Sequence, residues 1–201
     1  MIFENNLWIG NKVVPERICD EIISFFKSKK TQQALVGRVS EEVADLKTRD
    51  SGIIFDESPW LYNLLSPFVK KANTVNEWNF DIEGSEPCQF TEYKKNQYYH
   101  WHTDSWDSPY KNPSYKHYKK IRKLSITLSL SHENEYKGGD LKVAIPQVKN
   151  HELSYNLFKY KTLREKGSFI IFPSYFLHAV EPVTKGTRYS LVNWFVGEPF
   201  K

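Results

Sequence analysis

The stretch LSITLSLS, residues 124–131, alternates apolar and polar side chains without a break. Successive side chains of a strand point to opposite faces of a sheet, so the alternation predicts a strand with one apolar and one polar face. We expect the Leu and Ile face to pack outward against helices. We expect Ser125, Thr127 and Ser129 to face a polar cavity. The stretch therefore indicates a sheet that helices cover on one face and that lines a polar cavity with its other face.

Apolar residues recur at helical spacing in the first part of the chain, and they alternate at strand spacing on both sides of residues 124–131. A first helix is predicted from Pro15 onward and a second from Ser58-Pro59 onward, with short strands and loops across residues 34–56. Residues 145–163 are predicted to form a loop or an irregular hairpin. Further strands are predicted at residues 78–82, 141–144, 168–172 and 189–196.

Helices followed by many short strands indicate an α+β fold. We predict a double-stranded β-helix, or jelly-roll, core with the N-terminal helices packed on its outer sheet. We predict a single domain over residues 1–201, with a helical support region at 1–76 and the jelly-roll catalytic core at 77–201.

Composition and charge exclude few classes of protein. Of the 201 residues, 40% are hydrophobic and 15% aromatic, which is enough for one sizeable core. No apolar run is long enough to span a membrane, and MIFENNLWIG at the start lacks the pattern of a signal peptide. We therefore expect a soluble, cytoplasmic protein without a membrane partner.

The net charge of +4 does not by itself indicate a nucleic-acid partner. Cys19 and Cys88 are expected to be ordinary thiols.

One triplet, His102-Thr103-Asp104, carries the chemical signal together with His178 much later in the chain. Residues two apart in a strand point to the same face, so an imidazole and a carboxylate can reach one metal. A second His completes a facial set that leaves three positions of an octahedral Fe(II) ion open. His100 lies on the same nominal face, so a three-His site also fits. A surface His that bonds a neighbouring Asp fits the triplet as well.

The motifs around these residues resemble the prolyl-4-hydroxylase-like, PKHD-type family of 2-oxoglutarate and Fe(II)-dependent dioxygenases. The resemblance covers residues 87–196 in the family's order and spacing. The shared stretches are YKKNQYYHWHTD (93–104), RKLSITLSLS (122–131), YKGGDL (136–141), KGSFIIFPSYFLH (166–178) and PVTKGTRYS (182–190). Asn96 stands where the family usually has Gly, which a turn tolerates because Asn visits the left-handed region readily.

The resemblance implies a role for each of eight residues. It implies that the iron ligands are His102, Asp104 and His178. It implies that 2-oxoglutarate is bound by Tyr93, Arg188 and Ser190. It implies that the substrate is bound by Tyr99 and Trp194, and the cluster of aromatic residues beside them adds Trp101 as a predicted substrate residue.

The resemblance also implies Fe(II), 2-oxoglutarate as cosubstrate and O2, with ascorbate as a reductant. Trp106 and Tyr110 are expected to join Trp101 in an aromatic substrate platform. Prolyl hydroxylases often place an Arg shortly after the metal-binding Asp, and Lys111 is the nearest cation of this kind here.

The favoured function is therefore hydroxylation of an aliphatic carbon, a prolyl residue in a protein or peptide substrate. Three alternatives differ in substrate or in kind: hydroxylation of a small molecule such as a free amino acid, demethylation of nucleic acid, and a non-enzymatic jelly-roll binding domain. The alkylation-repair demethylases carry a second Arg six residues after the cosubstrate Arg. Trp194 occupies that position here, which argues against a nucleic-acid partner.

Overall fold

The computed structural model describes residues 2–4, 6–30, 32–34, 45–149 and 151–200. Within them lie two α-helices, α1 (Glu16–Lys27) and α2 (Pro59–Val75). Each helix begins directly after or at a proline, whose fixed φ suits the first turn and whose missing N–H is not needed there. No helix of the described residues is long and apolar enough to cross a membrane. Both helices were predicted from the sequence, and the structure confirms them.

The remaining regular structure is β-strand, apart from a short 3₁₀ helix at Lys161–Arg164. The strands of the described residues are β1 (Ile2–Glu4), β2 (Leu7–Gly10), β3 (Gln32–Gln33), β4 (Arg49–Asp50), β5 (Gly52–Asp56), β6 (Gly84–Ser85), β7 (Cys88–Tyr93), β8 (Tyr98–His102), β9 (Ile121–Ser129), β10 (Tyr136–Gly138), β11 (Leu141–Lys149), β12 (Glu152–Lys159), β13 (Phe169–Pro173), β14 (Leu177–Val180), β15 (Val183–Gly186) and β16 (Arg188–Gly197).

These strands form a large sheet, a smaller sheet and a two-stranded ribbon. The large sheet has nine strands in the order β1-β2-β13-β9-β16-β7-β5-β3, with β6 added beside β16. The smaller sheet has five strands in the order β12-β11-β14-β8-β4, and β10 pairs with β15. Most neighbours in these sheets are distant in sequence, as in a jelly roll. The predicted fold class is confirmed.

One hydrophobic cluster joins the helices to the outer face of the large sheet. Leu124, Ile126 and Leu128 of β9 are fully buried there. They pack against the apolar faces of α1 and α2, which present Phe26 and Leu65 among others. The polar side chains between them on β9 point the other way, as the alternation predicted.

A second cluster fills the space between the two sheets. Ile170 and Phe172 of β13 meet Val143 and Ile145 of β11 in this layer. Cys19 and Cys88 are both buried free thiols outside it. Burial raises the pKa of Cys19 to about 11 and that of Cys88 to about 12, so neither is a reactive thiolate at neutral pH.

Three predicted elements differ from the structure. Residues 78–82 are not a strand, because Glu77 and Asn79 have positive φ values of 56° and 48° and the backbone N–H of Phe80 bonds to the Asn73 side chain at the end of α2. The strand predicted at 141–144 extends to Lys149 and pairs with β12, so the segment predicted to be a loop or an irregular hairpin is a hairpin, and its strands pair in regular register. Strand β2, which pairs with β13, was not predicted.

Candidate active site

Three potential metal ligands converge between the two sheets. His102, the last residue of β8, pairs with His178 of β14. The ligand atoms of His102, Asp104 and His178 all lie within 4.8 Å of one another. The Nε2 atom of His102 is 3.7 Å from Oδ1 of Asp104, and Nε2 of His178 is 3.4 Å from Oδ2. Elsewhere in the described part of the chain, no group of His, Cys, Asp and Glu is arranged in this way.

The carboxylate of Asp104 is held by the turn after β13. The backbone N–H groups of Asp104 and Ser105 both donate to the carbonyl of Ser174, at 2.9 Å. The Ser125 hydroxyl donates to Oδ2 of Asp104 at 2.7 Å, and the Ser174 hydroxyl lies 2.9 Å from that of Ser125. Asp104 therefore lies beyond the end of β8, and hydrogen bonds rather than strand alternation orient it.

Both imidazoles are oriented by backbone carbonyls. Nδ1 of His102 lies 2.7 Å from the carbonyl oxygen of His100, and Nδ1 of His178 lies 3.0 Å from that of Phe176. A carbonyl only accepts, so each Nδ1 donates the hydrogen bond and each Nε2 is left to face Asp104.

The electrostatics of the cluster favour an ionised Asp104 carboxylate and a neutral His102 imidazole. Burial and the neighbouring His178 lower the pKa of His102 well below its usual range. Burial alone would raise the pKa of Asp104, but His178, His102 and Arg122 outweigh it and bring the pKa to about 2. Two imidazole nitrogens and one carboxylate on one face form a donor set that fits Fe(II).

A β-bulge excludes His100 from this cluster. Val180 pairs with Tyr99, whereas His178 pairs with His102, so β8 carries one extra residue between these pairs. A bulge re-aims side chains, and here Tyr99 and His102 both face the cavity. The two rings stack with centroids 3.4 Å apart. His100 is exposed, and it is not among the clustered ligands.

A cavity of about 400 Å³ opens beside the three ligands. Arg188 lines it and is only 2% exposed. Its Nη1 donates to the Ser190 hydroxyl at 3.3 Å, and its guanidinium lies 5.5 Å from the centre of the Tyr93 ring. Among the described residues, no carboxylate forms an ion pair with Arg188. A buried cation of this kind is costly unless an anion accompanies it, so this part of the cavity suits a carboxylate ligand.

The structure brings two of the three predicted substrate residues to the cavity. Tyr99 and Trp194 line it, whereas Trp101 is 43% exposed and does not. Trp101 directly precedes His102, and neighbouring side chains of a strand point to opposite faces, so Trp101 points away from the cavity that His102 lines. Trp106 also lines the cavity. Tyr110 instead donates its hydroxyl to Glu86 at 2.5 Å, outside the cavity lining.

Arg122, rather than Lys111, is the cation that lies beside Trp194 in the cavity. Lys111 is exposed and absent from the cavity lining. The Arg122 guanidinium lies 3.9 Å from the centre of the Trp194 ring and donates to both oxygens of Glu86, at 2.7 and 2.5 Å. A β-bulge in β9 brings Arg122 to this position. Phe195 pairs with Leu124, but Val196 pairs with Arg122, so Lys123 is the extra residue.

Sequence reasoning overlooked two cavity-lining arginines. Arg122 is the first residue of one of the motifs that carry the family resemblance. Its position at the start of the strand whose Ser and Thr face was predicted to line a polar cavity could have indicated that it reaches the cavity. Arg49 in β4 gave no signal, because it lies in a short polar segment. It is 5% exposed, and its guanidinium stacks 4.4 Å from the centre of the Tyr99 ring.

A jelly roll that places two histidines and a carboxylate beside a buried arginine defines the class of non-haem iron oxygenases. The sequence profile of the 2OG-Fe(II) oxygenase superfamily matches residues 88–196. The chain belongs to this family, as its motifs predicted. Membership confirms Fe(II), 2-oxoglutarate and O2 as the expected cofactor and cosubstrates, and the donor set described above fits the iron.

Individual relatives agree with this family. A PKHD-type hydroxylase of Synechococcus sp. (strain JA-2-3B'a(2-13)) is 39% identical over 71 residues, which are 35% of this chain and 27% of that protein. The match thus spans well under half of that relative's length.

Two solved structures share the fold. A Pseudomonas putida prolyl-4-hydroxylase has a TM-score of 0.67 at 16% identity, over 95% of this chain and 92% of that one. A Trichoplax adhaerens prolyl hydroxylase, in complex with a hypoxia inducible factor peptide fragment, has a TM-score of 0.69 at 17% identity, over 95% and 83%. At these identities the likeness concerns the fold alone.

Proposed function

We propose that the protein is an Fe(II)- and 2-oxoglutarate-dependent dioxygenase that hydroxylates a prolyl residue in a protein or peptide. The observation that carries the proposal is one cavity that holds both a facial His-Asp-His cluster and a buried arginine without a carboxylate partner among the described residues. In this proposal His102, Asp104 and His178 ligate the iron. When bound, Fe(II) and 2-oxoglutarate supply the oxidising chemistry, in which O2 hydroxylates a C–H bond while 2-oxoglutarate becomes succinate and CO2.

Arg188 would bind the carboxylate of 2-oxoglutarate that is remote from the metal. Its planar guanidinium can donate two parallel hydrogen bonds to a carboxylate. The Ser190 hydroxyl contacts it, Tyr93 lines the same cavity, and both hydroxyls can donate to the same group. All three side chains are almost fully buried, so water competes little for the ligand.

The substrate side of the cavity has the character of a prolyl site. The Trp194 ring is 5% exposed and is held by the guanidinium of Arg122, and Tyr99 is held by stacking on His102. Flat, fixed rings suit the rigid pyrrolidine ring and the extended backbone around it. The peptide fragment bound to the Trichoplax enzyme agrees with a peptidyl substrate.

A free amino acid is the second candidate, and Arg49 favours it. This cation also lines the cavity, and its Nε donates to the Ser51 hydroxyl at 3.0 Å. Within the described ranges of the chain, no carboxylate forms an ion pair with it. The carboxylate of a free amino acid could bind there, whereas an internal residue of a peptide has none.

The test measures succinate formed in the presence of iron, ascorbate and 2-oxoglutarate. Proline-rich peptides are compared with free proline, other amino acids and methylated DNA oligonucleotides, and mass spectrometry locates the added oxygen atom. We expect peptides to stimulate turnover and to gain oxygen on proline, and Asp104→Ala to abolish both effects. Stronger stimulation by a free amino acid, or by methylated DNA, would refute the peptidyl substrate.

A further inference from the structure

A groove lined by aromatic rings adjoins the active-site cavity. We call the surface formed by Phe80, Trp106, Tyr175 and Phe200 the aromatic groove; it encloses about 500 Å³, and Ser105 and Asp107 complete its lining. Trp106 also lines the cavity that holds the candidate iron ligands. The two spaces therefore adjoin at Trp106, two residues after Asp104.

The rings of the aromatic groove are exposed yet fixed. Tyr175 is 45% exposed and Phe200 is 49% exposed. Their ring centroids lie 5.8 Å apart, and Phe200 lies 5.3 Å from Phe80, each pair at a steep angle. The Nζ atom of Lys123 lies 3.5 Å from the Phe200 centroid, and Lys123 itself is 4% exposed. A buried cation behind the ring holds it in place, so little side-chain entropy is lost when a ligand binds.

We propose that the aromatic groove binds the segment of a proline-rich substrate peptide that adjoins the hydroxylated residue. This inference rests on the proposed function, because it assumes a peptidyl substrate. Aromatic-lined grooves recognise polyproline II segments, whose rigid backbone costs little entropy to bind. Because Trp106 lines both the groove and the active-site cavity, the groove favours the substrate chain over an unrelated partner.

The spacing of the rings sets the length of the segment. A polyproline II chain rises about 3.1 Å per residue, so neighbouring rings more than 5 Å apart are about two residues apart along it. The rings from Tyr175 to Phe80 therefore span at most about four residues. A peptide truncated at its hydroxylated residue fills the cavity but leaves the aromatic groove empty.

The experiment compares a short peptide with the same peptide extended by four residues, on its N-terminal side or its C-terminal side. The KM of each peptide is measured for the wild type and for Tyr175→Ala and Phe200→Leu. We expect one of the two extensions to lower KM. Each substitution should then raise the KM of that extended peptide about fivefold to tenfold, the worth of one aromatic contact. The kcat, the KM of the short peptide and the concentration of cosubstrate needed for half-maximal rate should remain unchanged.

Two controls separate ring contacts from general damage. Tyr155 on β12 is 46% exposed and lies outside the aromatic groove, so Tyr155→Ala should leave every constant at its wild-type value. Tyr175→Phe keeps the ring and should behave as wild type. Retention of full activity on the short peptide shows that each variant is folded.

The outcomes distinguish this inference from the proposed function. If the short peptide is hydroxylated but neither extension lowers its KM, or the substitutions leave the KM of the extended peptide unchanged, the groove is not a substrate subsite and the proposed function stands. If the protein sediments as a dimer that Tyr175→Ala dissociates, a second copy of the chain occupies the groove and the inference is overturned. If no peptide of any length is hydroxylated, the proposed function is refuted, and the inference that rests on it is refuted with it.

Discussion

Replacing Arg188 by Ala should abolish the stabilisation of the protein by 2-oxoglutarate while iron stays bound. The guanidinium is 2% exposed and its only charge partner in our proposal is the cosubstrate. Removing one member of a buried ion pair costs about 3–5 kcal/mol. A loss of about 3 kcal/mol corresponds to about a hundredfold rise in the dissociation constant of the cosubstrate.

Thermal unfolding measures this loss directly. A ligand at about 100 times its dissociation constant stabilises the native state by about 2.7 kcal/mol. After a hundredfold loss of affinity, the same concentration only equals the dissociation constant and contributes about 0.4 kcal/mol. The Tm of the iron-loaded wild type should therefore rise on addition of 2-oxoglutarate, and the Tm of Arg188→Ala should remain almost constant.

Two matched variants and one metal measurement complete the design. Arg188→Lys keeps the charge but loses the planar fork, so it should restore part of the shift. Arg17→Ala removes an exposed arginine of α1 and should respond as the wild type does. Iron content should be equal in all four proteins. A full Tm shift in Arg188→Ala, at wild-type iron content, would refute the assignment of Arg188 to the cosubstrate.

Two further predictions concern the metal cluster. Substitution of His102, Asp104 or His178 by Ala should remove iron from the purified protein. His100→Ala should retain iron, because the bulge in β8 turns His100 away. Metal analysis in which His100→Ala loses iron and Asp104→Ala keeps it would contradict the ligand set. Ser125→Ala should weaken iron binding about 10- to 100-fold, since it removes the hydrogen bond that orients the Asp104 carboxylate; a chelator titration that gives wild-type affinity contradicts that role.

The β framework could largely be predicted because its signal is local. The alternation over residues 124–131 gave the two faces of β9, and the structure confirms both, with Leu128 in the core and Thr127 lining the cavity. The family motifs gave the spacing of His102, Asp104 and His178, which the fold brings within 4.8 Å.

What the sequence could not predict depends on β-bulges. The extra residue in β8 turns Tyr99 and His102 toward the cavity and leaves His100 outside. The extra residue in β9 brings Arg122 to the Trp194 ring, although strict alternation from Ser125 would have placed Lys123 there. Register is a property of two strands together, so one strand's sequence does not reveal where it slips.

The strand predicted at 78–82 failed for a different reason. Trp78, Phe80 and Ile82 are partly buried against the helical core, and this produces the period of two. The chain is nevertheless not paired, because the backbone of Asn79 and Phe80 bonds to Asn73 at the end of α2. An alternating pattern reports burial on one side, and it does not report which backbone groups supply the hydrogen bonds.

Because His102 of β8 pairs directly with His178 of β14, the proposed metal site is complete only after these two strands have paired. Contacts between residues so far apart in sequence carry a high contact order and form slowly, because the closure of a long loop must precede them. Asp104 likewise depends on the carbonyl of Ser174. During synthesis, β8 leaves the ribosome well before β14, so the nascent chain offers an isolated H-x-D segment and no complete coordination site. If these three residues ligate iron as we propose, iron uptake follows the docking of β14, and the iron content of a sample measures the fraction of chains in which that docking is complete.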